Sequence, residues 1–474
     1  MFEKLAGCLL LGMSMFLALP SAATPPTAIV TPINVPNTPS FGATTLDLAI
    51  AGYIEQEFYI SGTAGRYRIT NPLGTAQLID GGWPYKSRIL VRRPVRAEDF
   101  NGTVVVEWYN VTLGEDVDFT FAAMYGHLLR KGYAYVAVSV QLAGVNTLRN
   151  WSPARYGSLD ITAPNIDPVT GGPIDPPTGV FPGGDVLSWD IFGQTGAALL
   201  AGAALGDLRP ARVIAMGESQ SAGRLTAYYN AIQPLHRVYE SILTYDRAGP
   251  LREDIGTKLI SINSSVSSTS PFFAPPPPDS KDHRWWEIAG ASHASLHDML
   301  YLDPIIKSEG VLRDPAGNPV SLTEASQGCT MTPIGSRVPS GQALNSALEH
   351  LIAWTNEGIP PPMATRLLRD ASGLPALDAD GRVIGGVRLP AYEAPIAANG
   401  GYNSGPGFCF LSGFHQDNSQ AELCKRYGSP RGYRASVEES TGRALHEGFM
   451  VESDARATIA EAAHFQLRCP SDED

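Results

Sequence analysis

Three short, unbroken apolar runs constrain this chain more than any other feature. TVVVEWYNV (103–111), YAYVAVSV (133–140) and ARVIAMG (211–217) are too short for core helices and too continuously apolar for strands with one wet face. Such runs are strands buried on both sides, the kind found inside parallel sheets. Helical stretches follow them: DFTFAAMYGHLLRKG, ending at Gly132, a segment from about Ser188 to Leu205, and SAGRLTAYYNAIQ. SILTYD and KLISINS supply two more strands, and HRWWEIAG (283–290) the last. Strands alternating with helices predict an α/β fold with a mostly parallel, doubly wound sheet. LDLAIAGYIEQEFYI and KSRILVRRPV, which precede the first buried run, read as antiparallel strands.

Two Pro/Gly-rich segments break the rhythm. LDITAPNIDPVTGGPIDPPTGVFPGG (159–184) lies in an insertion over about 141–187 and is expected to pack over the carboxyl edge of the sheet; PFFAPPPPDS (271–280) is a loop. The helix SALEHLIAWTNEG, ending at Gly358 before three prolines, reads as the close of a core spanning 46–358. Residues 359–474 are expected to wrap on that core as an extension. Within them DADGRV (378–383) has its Gly too early for a calcium loop and no Glu at the twelfth position, so it reads as a hairpin turn.

Lys4, the apolar run LAGCLLLGMSMFLALP and the small residues Ser21, Ala22 and Ala23 describe a cleaved secretory signal over residues 1–23, followed by an extended leader over 24–45. The run is too short for a membrane span. Export to a secreted or periplasmic location follows, with no membrane span after cleavage. Past the signal four cysteines remain, Cys329, Cys409, Cys424 and Cys469. An even number in an exported chain predicts two disulfides. Sequence proximity favours Cys409–Cys424, which leaves Cys329 for Cys469. A formal net charge of −12 argues against nucleic acid as a partner.

Chemistry concentrates at Gly217-Glu218-Ser219-Gln220-Ser221, between the strand ARVIAM and the helix that follows. A strand-to-helix turn this sharp lifts a serine above a sheet, and it needs small residues two before and two after that serine. Gly217 meets the requirement; Ser221 stands where glycine is usual, and is still small. The helix start also places backbone N–H groups beside Ser219, suiting a developing oxyanion. A general base is expected after the last strand, where Ala291-Ser292-His293 follows HRWWEIAG. His283 precedes that strand, at the wrong end of the sheet. His297, four residues on, reads as a surface or capping residue.

GYIEQEFYISGTA, VVVEWYN, RYGSL, SWDIFGQ, GESQSAGRL, WEIAGASHA and NSALEHLIAW–GIPPP together resemble the alpha/beta hydrolase domain family of large secreted bacterial hydrolases. The likeness runs over most of the chain, including the cysteine-bearing C-terminal part. It implies the α/β-hydrolase fold, Ser219 as nucleophile and His293 as base. Members of that family carry a Glu after the penultimate strand, where this chain reads Ile262-Asn263-Ser264-Ser265-Val266-Ser267 and offers no carboxylate. Asp246, ending the preceding strand, is the favoured substitute; Asp279, Asp282 or a Ser–His dyad are the alternatives. The oxyanion hole is expected from the backbone N–H of Gln220 with Asn110 or Val111, Asn110 also offering its side-chain amide. Glu107, Trp108 and Tyr109 either line the pocket or cap the sheet.

These residues predict acyl transfer to water on a small or oligomeric ester, by a serine carboxylesterase. Neither a metal-ligand cluster nor a phosphate-binding loop is apparent, and no cofactor is expected. An acyltransferase or peptidase on the same fold, and an inactive fold that only binds, are the competing classes. The absence of a Glu at Ser265 favours the last of these; Ser219 and His293 oppose it.

Overall fold

A computed structural model describes residues 25–469, apart from 37, 180, 247–248, 267–276, 372, 374 and 380. The segment expected to be a signal lies outside the described residues, as does most of the second Pro-rich loop. Nine strands make one sheet: β1 (Ile29–Pro32), β2 (Tyr53–Arg68), β3 (Gln77–Pro94), β4 (Thr103–Trp108), β5 (Ala134–Ser139), β6 (Arg212–Glu218), β7 (Ser241–Tyr245), β8 (Lys258–Ser264) and β9 (His283–Ile288). Their order is β1-β2-β3-β5-β4-β6-β7-β8-β9. β1, β2 and β3 run antiparallel, and β3 joins β5 antiparallel at Arg88↔Ser139. From β5 to β9 every pairing is parallel.

The three apolar runs form the centre because nothing in them needs water. Every residue of β4 and β5 is buried, as are Val213 to Glu218 of β6. Helices cover both faces. Ser188–Leu200 brings Trp189 and Phe192 onto Trp108, with ring centroids 5.5 and 4.8 Å away. Phe119–Arg130 and Ser340–Glu357 pack on the other face. The second helix ends at Gly358, in a left-handed conformation (φ 72°) that suits glycine. Trp108, Trp285 and Trp286 are wholly buried. At about 25 cal/mol per Å² of apolar surface, such rings dominate the cohesion of the core.

β1 lies inside the stretch expected to be an extended leader. Its residues are mostly exposed, and what fixes them is backbone pairing along the edge of β2, a property that side-chain patterning does not encode. Asp185 accepts from the Leu142 N–H at 2.7 Å and, with Asp175, pairs with Arg224 at 3.0 and 2.8 Å. The Pro/Gly-rich insertion is thereby fastened to the helix that follows β6. DADGRV forms a turn, Asp378 N–H donating to Arg382 O at 2.8 Å.

The disulfides pair differently from the expectation based on proximity. Cys329 joins Cys409 and Cys424 joins Cys469. The stretch 403–415 folds back along 330–335, through Thr330 N–H to Ser404 O, Gly335 N–H to Ser412 O and His415 N–H to Pro333 O. That zipper presents Cys409 to Cys329. Cys424 sits on the Gln420–Tyr427 helix, where Arg468 N–H donates to Gln420 Oε1 and brings Cys469 alongside. Beyond residue 359 the chain also contacts the closing helix, with Asn345 donating to Asp454 at 2.7 Å and Ser346 to Gly448 O. No helix among the described residues is long and apolar enough to cross a membrane.

Candidate active site

β6 runs directly into the helix Ser219–Ala227. Ser219 itself takes φ 54°, a left-handed conformation that costs a non-glycine residue about 1–3 kcal/mol. Surrounding contacts hold that strain. Ser221 Oγ accepts from the Glu218 N–H at 3.0 Å and donates to Glu218 O at 2.8 Å. The hydroxyl thus ties the turn together, which explains why serine serves where glycine is usual. A Cβ on Gly217 would lie 3.1 Å from the Ser221 backbone and 3.0 Å from Leu225, so the close approach favours glycine there.

His293 follows β9, in a loop fixed from three sides. Its N–H donates to Leu411 O at 3.2 Å, its carbonyl accepts from Tyr245 Oη at 3.2 Å, and the neighbouring Ser292 Oγ accepts from Ser336 N–H. The ring lies between two buried carboxylates: Nδ1 is 2.9 Å from Asp246 Oδ2, and Nε2 is 2.9 Å from Glu218 Oε1. Asp246 ends β7 at φ 57°, a conformation Asp tolerates better than most residues, and its other oxygen accepts from Ser264 N–H. Asp246 therefore reaches the imidazole from the neighbouring strand end. Ser265, at the place where the resemblance leads one to expect Glu, stitches β8 to the chain after β9. Its Oγ donates to Ile288 O and accepts from Gly290 N–H.

Burial alone would push the His293 imidazole down. The charges of Glu218 and then Asp246 outweigh that and raise it from 6.5 to about 10. Glu218 is itself raised by burial, against the pull of His293. One atom each of Glu218, Asp246 and His293 lie within 4.8 Å of one another, a spacing a divalent ion could also use. The carboxylates, however, engage opposite ring nitrogens, so a single ion could not take all three without displacing one.

Asp279 and Asp282 are engaged away from His293. Asp279 accepts from Trp285 N–H and pairs with Arg366; Asp282 pairs with Lys258 at 2.6 Å. His283 lies at the start of β9 against Ser261 Oγ, and burial lowers it to about 4. His297 stacks on Tyr125 with centroids 5.4 Å apart.

For the oxyanion hole, Asn110 is a correction. Its N–H donates to Val117 O, and its side-chain amide donates to Glu218 O at 3.1 Å and Glu218 Oε2 at 2.8 Å. Those donors are committed, whereas among the described residues the Val111 N–H meets no acceptor. The backbone N–H of Gln220 lies in the first turn of its helix, where intrahelical acceptors are lacking. Glu107 caps the Phe119–Arg130 helix through Thr120 and Phe121 N–H and accepts from Tyr135 Oη; burial raises it to about 8. Trp108 belongs to the core, its Nε1 donating to Gln141. Tyr109 is buried under Arg88.

Ser219 and His293 line one small cavity of about 70 Å³. Leu113, Phe119, Met299, Leu322, Phe408 and Leu411 make its walls apolar. Sequence reasoning missed Glu218 as a partner of His293, although it stands inside the Gly217–Ser219 motif. It also missed Phe408 and Leu411, for which no local signal existed.

The alpha/beta hydrolase domain description matches residues 25–460. The chain belongs to the alpha/beta hydrolase domain family. This family membership covers the C-terminal extension as well as the sheet. No curated protein matches the chain. Among solved structures it is similar to an α/β serine hydrolase from Xanthomonas campestris, at 12% identity over 43% of this chain and 71% of that one, with TM-score 0.24. It is also similar to Est1E from Butyrivibrio proteoclasticus, at 10% identity over 50% and 93%, with TM-score 0.27. A glucuronoyl esterase from Caldicellulosiruptor kristjansonii matches at 12% over 44% and 47%, with TM-score 0.21, so the chain spans about half of that protein.

Proposed function

We propose that this alpha/beta hydrolase family member is an exported serine esterase acting on uncharged esters with short acyl groups. The observation that carries the reading is a strained Ser219 at a helix N-terminus, sharing a cavity with an imidazole that Asp246 holds at Nδ1. In the proposed reaction His293 Nε2 takes the Ser219 hydroxyl proton as Oγ bonds to the ester carbonyl carbon. The carbonyl π electrons move to oxygen, where the Gln220 and Val111 N–H groups meet the oxyanion. Collapse expels the alcohol, which receives the proton from His293. Water repeats the sequence on the acyl-enzyme and releases the acid. The small apolar cavity favours short acyl chains. Two disulfides suit an oxidising compartment, in keeping with a secreted or periplasmic location.

The test is hydrolysis of nitrophenyl acetate, butyrate, octanoate and laurate by the mature protein and by Ser219→Ala, with fluorophosphonate labelling alongside. Turnover of the short esters that disappears in the variant is the expected result. A folded protein that neither turns over any of these esters nor labels at Ser219 would sink the proposal.

A further inference from the structure

Glu218 needs a physical explanation of its own. It is the residue between Gly217 and the proposed nucleophile, it is 1% exposed, and its carboxylate is held from two directions. Asn110 Nδ2 donates to Oε2 at 2.8 Å, and Oε1 lies 2.9 Å from His293 Nε2. Nε2 is the nitrogen that must receive the serine proton in the proposed reaction, and it lies within hydrogen-bond distance of Oε1. Asp246 Oδ2 lies 2.9 Å from Nδ1 on the opposite side. Among the described residues, the charged groups facing the ring are Glu218 from the β6 turn and Asp246 from the end of β7. Asp298, on the Leu296–Glu309 helix, is buried within electrostatic reach of Asp246, and Tyr245 Oη caps the His293 carbonyl.

We propose that Glu218 is a positioning residue: clamped by Asn110, it fixes the His293 ring through Nε2 beside Ser219 and stabilises the imidazolium. This rests on the serine-esterase reading above. In the resting form both ring N–H groups donate, one to Asp246 and one to Glu218. Loss of one proton to solvent frees the Nε2 lone pair, which then accepts the Ser219 proton during attack. The same proton next passes to the leaving alcohol, and the ring returns neutral. Glu218 gains and loses no bond in that cycle; it decides at what pH the cycle can begin. Burial of three ionisable groups in one site otherwise lacks justification, because an unpaired buried carboxylate is costly.

The experiment is a pH titration of ¹³C-histidine-labelled protein by NMR, His293 being assigned with His293→Gln, beside the pH profile of kcat/KM. In Glu218→Gln the His293 titration is expected to fall by about 1–3 pH units, since an opposite charge at contact distance shifts a group by that much. The acid limb of kcat/KM should move down by the same amount, with a lower plateau. A folded Glu218→Gln whose His293 titrates as in wild type would overturn the proposal. Should that variant not fold, the wild-type titration decides: a midpoint in the ordinary histidine range rules out two stabilising carboxylates. The NMR readout does not require turnover. A His293 shift without ester hydrolysis would therefore retire the esterase reading, and the positioning role with it, while leaving the contact between Glu218 and His293 intact.

Discussion

Replacing Asp246 by Asn should damage catalysis more than replacing it by Ala. Asp246 accepts twice, from Ser264 N–H at Oδ1 and from His293 Nδ1 at Oδ2, and it is fully buried. Asn keeps only one acceptor. If its carbonyl keeps Ser264, its NH₂ faces Nδ1 and forces the tautomer whose Nε2 carries hydrogen, which cannot take the serine proton. The flipped amide sets donor against donor at Ser264, a buried mismatch of about 1–3 kcal/mol. The harmful orientation therefore wins, and kcat should fall by about 10⁴, or ~5.5 kcal/mol of barrier. Ala imposes no tautomer and should retain more activity. Yet Ala should be the less stable variant, because Asn tolerates φ 57° and Ala is strained there by about 1–2 kcal/mol. The assay is butyrate-ester kcat beside urea unfolding of wild type and both variants. Asn activity within tenfold of wild type, or below it by no more than Ala, would refute the tautomer argument.

Five further outcomes are expected. Cys329→Ser/Cys409→Ser should lower both stability and kcat, since Leu411 and Phe408 lie beside that bridge; the chain-entropy contribution of the 80-residue loop is about 4 kcal/mol. Cys424→Ser/Cys469→Ser should lower the melting temperature with kcat unchanged, measured by calorimetry and ester assay. Ester hydrolysis should climb with pH toward about 10, because the raised His293 must lose its proton to act as base. The same group's folded pKa lies above its unfolded one, so its contribution to stability is complete below pH 6.5 and disappears as pH rises through 10, which urea titrations at pH 6, 8 and 10 would follow. Arg88→Met should destabilise by roughly 3–5 kcal/mol in urea unfolding, since Asp116 would lose the cation beside its buried carboxylate and Glu57 would be left with Arg155 alone.

Local patterns carried much of the architecture. β4, β5 and β6 were legible because continuous apolar runs have few other uses, and β7, β8 and β9 fell on SILTYD, KLISINS and HRWWEIAG. Placement of Ser219 and His293 around one cavity was legible too, since the fold delivers both at strand ends. What stayed hidden depended on long-range geometry. β1 is held by backbone pairing, the cysteines by a zipper between 330–335 and 403–415, and the cavity wall by Phe408 and Leu411, more than a hundred residues from His293. Asn110 was misjudged because its side-chain partner, Glu218, stands 108 residues away.

The wall formed by Phe408 and Leu411 has a consequence for timing. A ribosome delivers Asn110, Ser219, Asp246 and His293 long before the stretch that encloses them, and Cys409 can bridge to Cys329 only after that stretch arrives. A chain interrupted between residues 294 and 407 would thus own Asn110, Ser219, Asp246 and His293 and still lack Phe408 and Leu411, two of the apolar walls around them. The cavity is therefore completed only by the last quarter of the chain, on the stretch of sequence that Cys409 ties to Cys329.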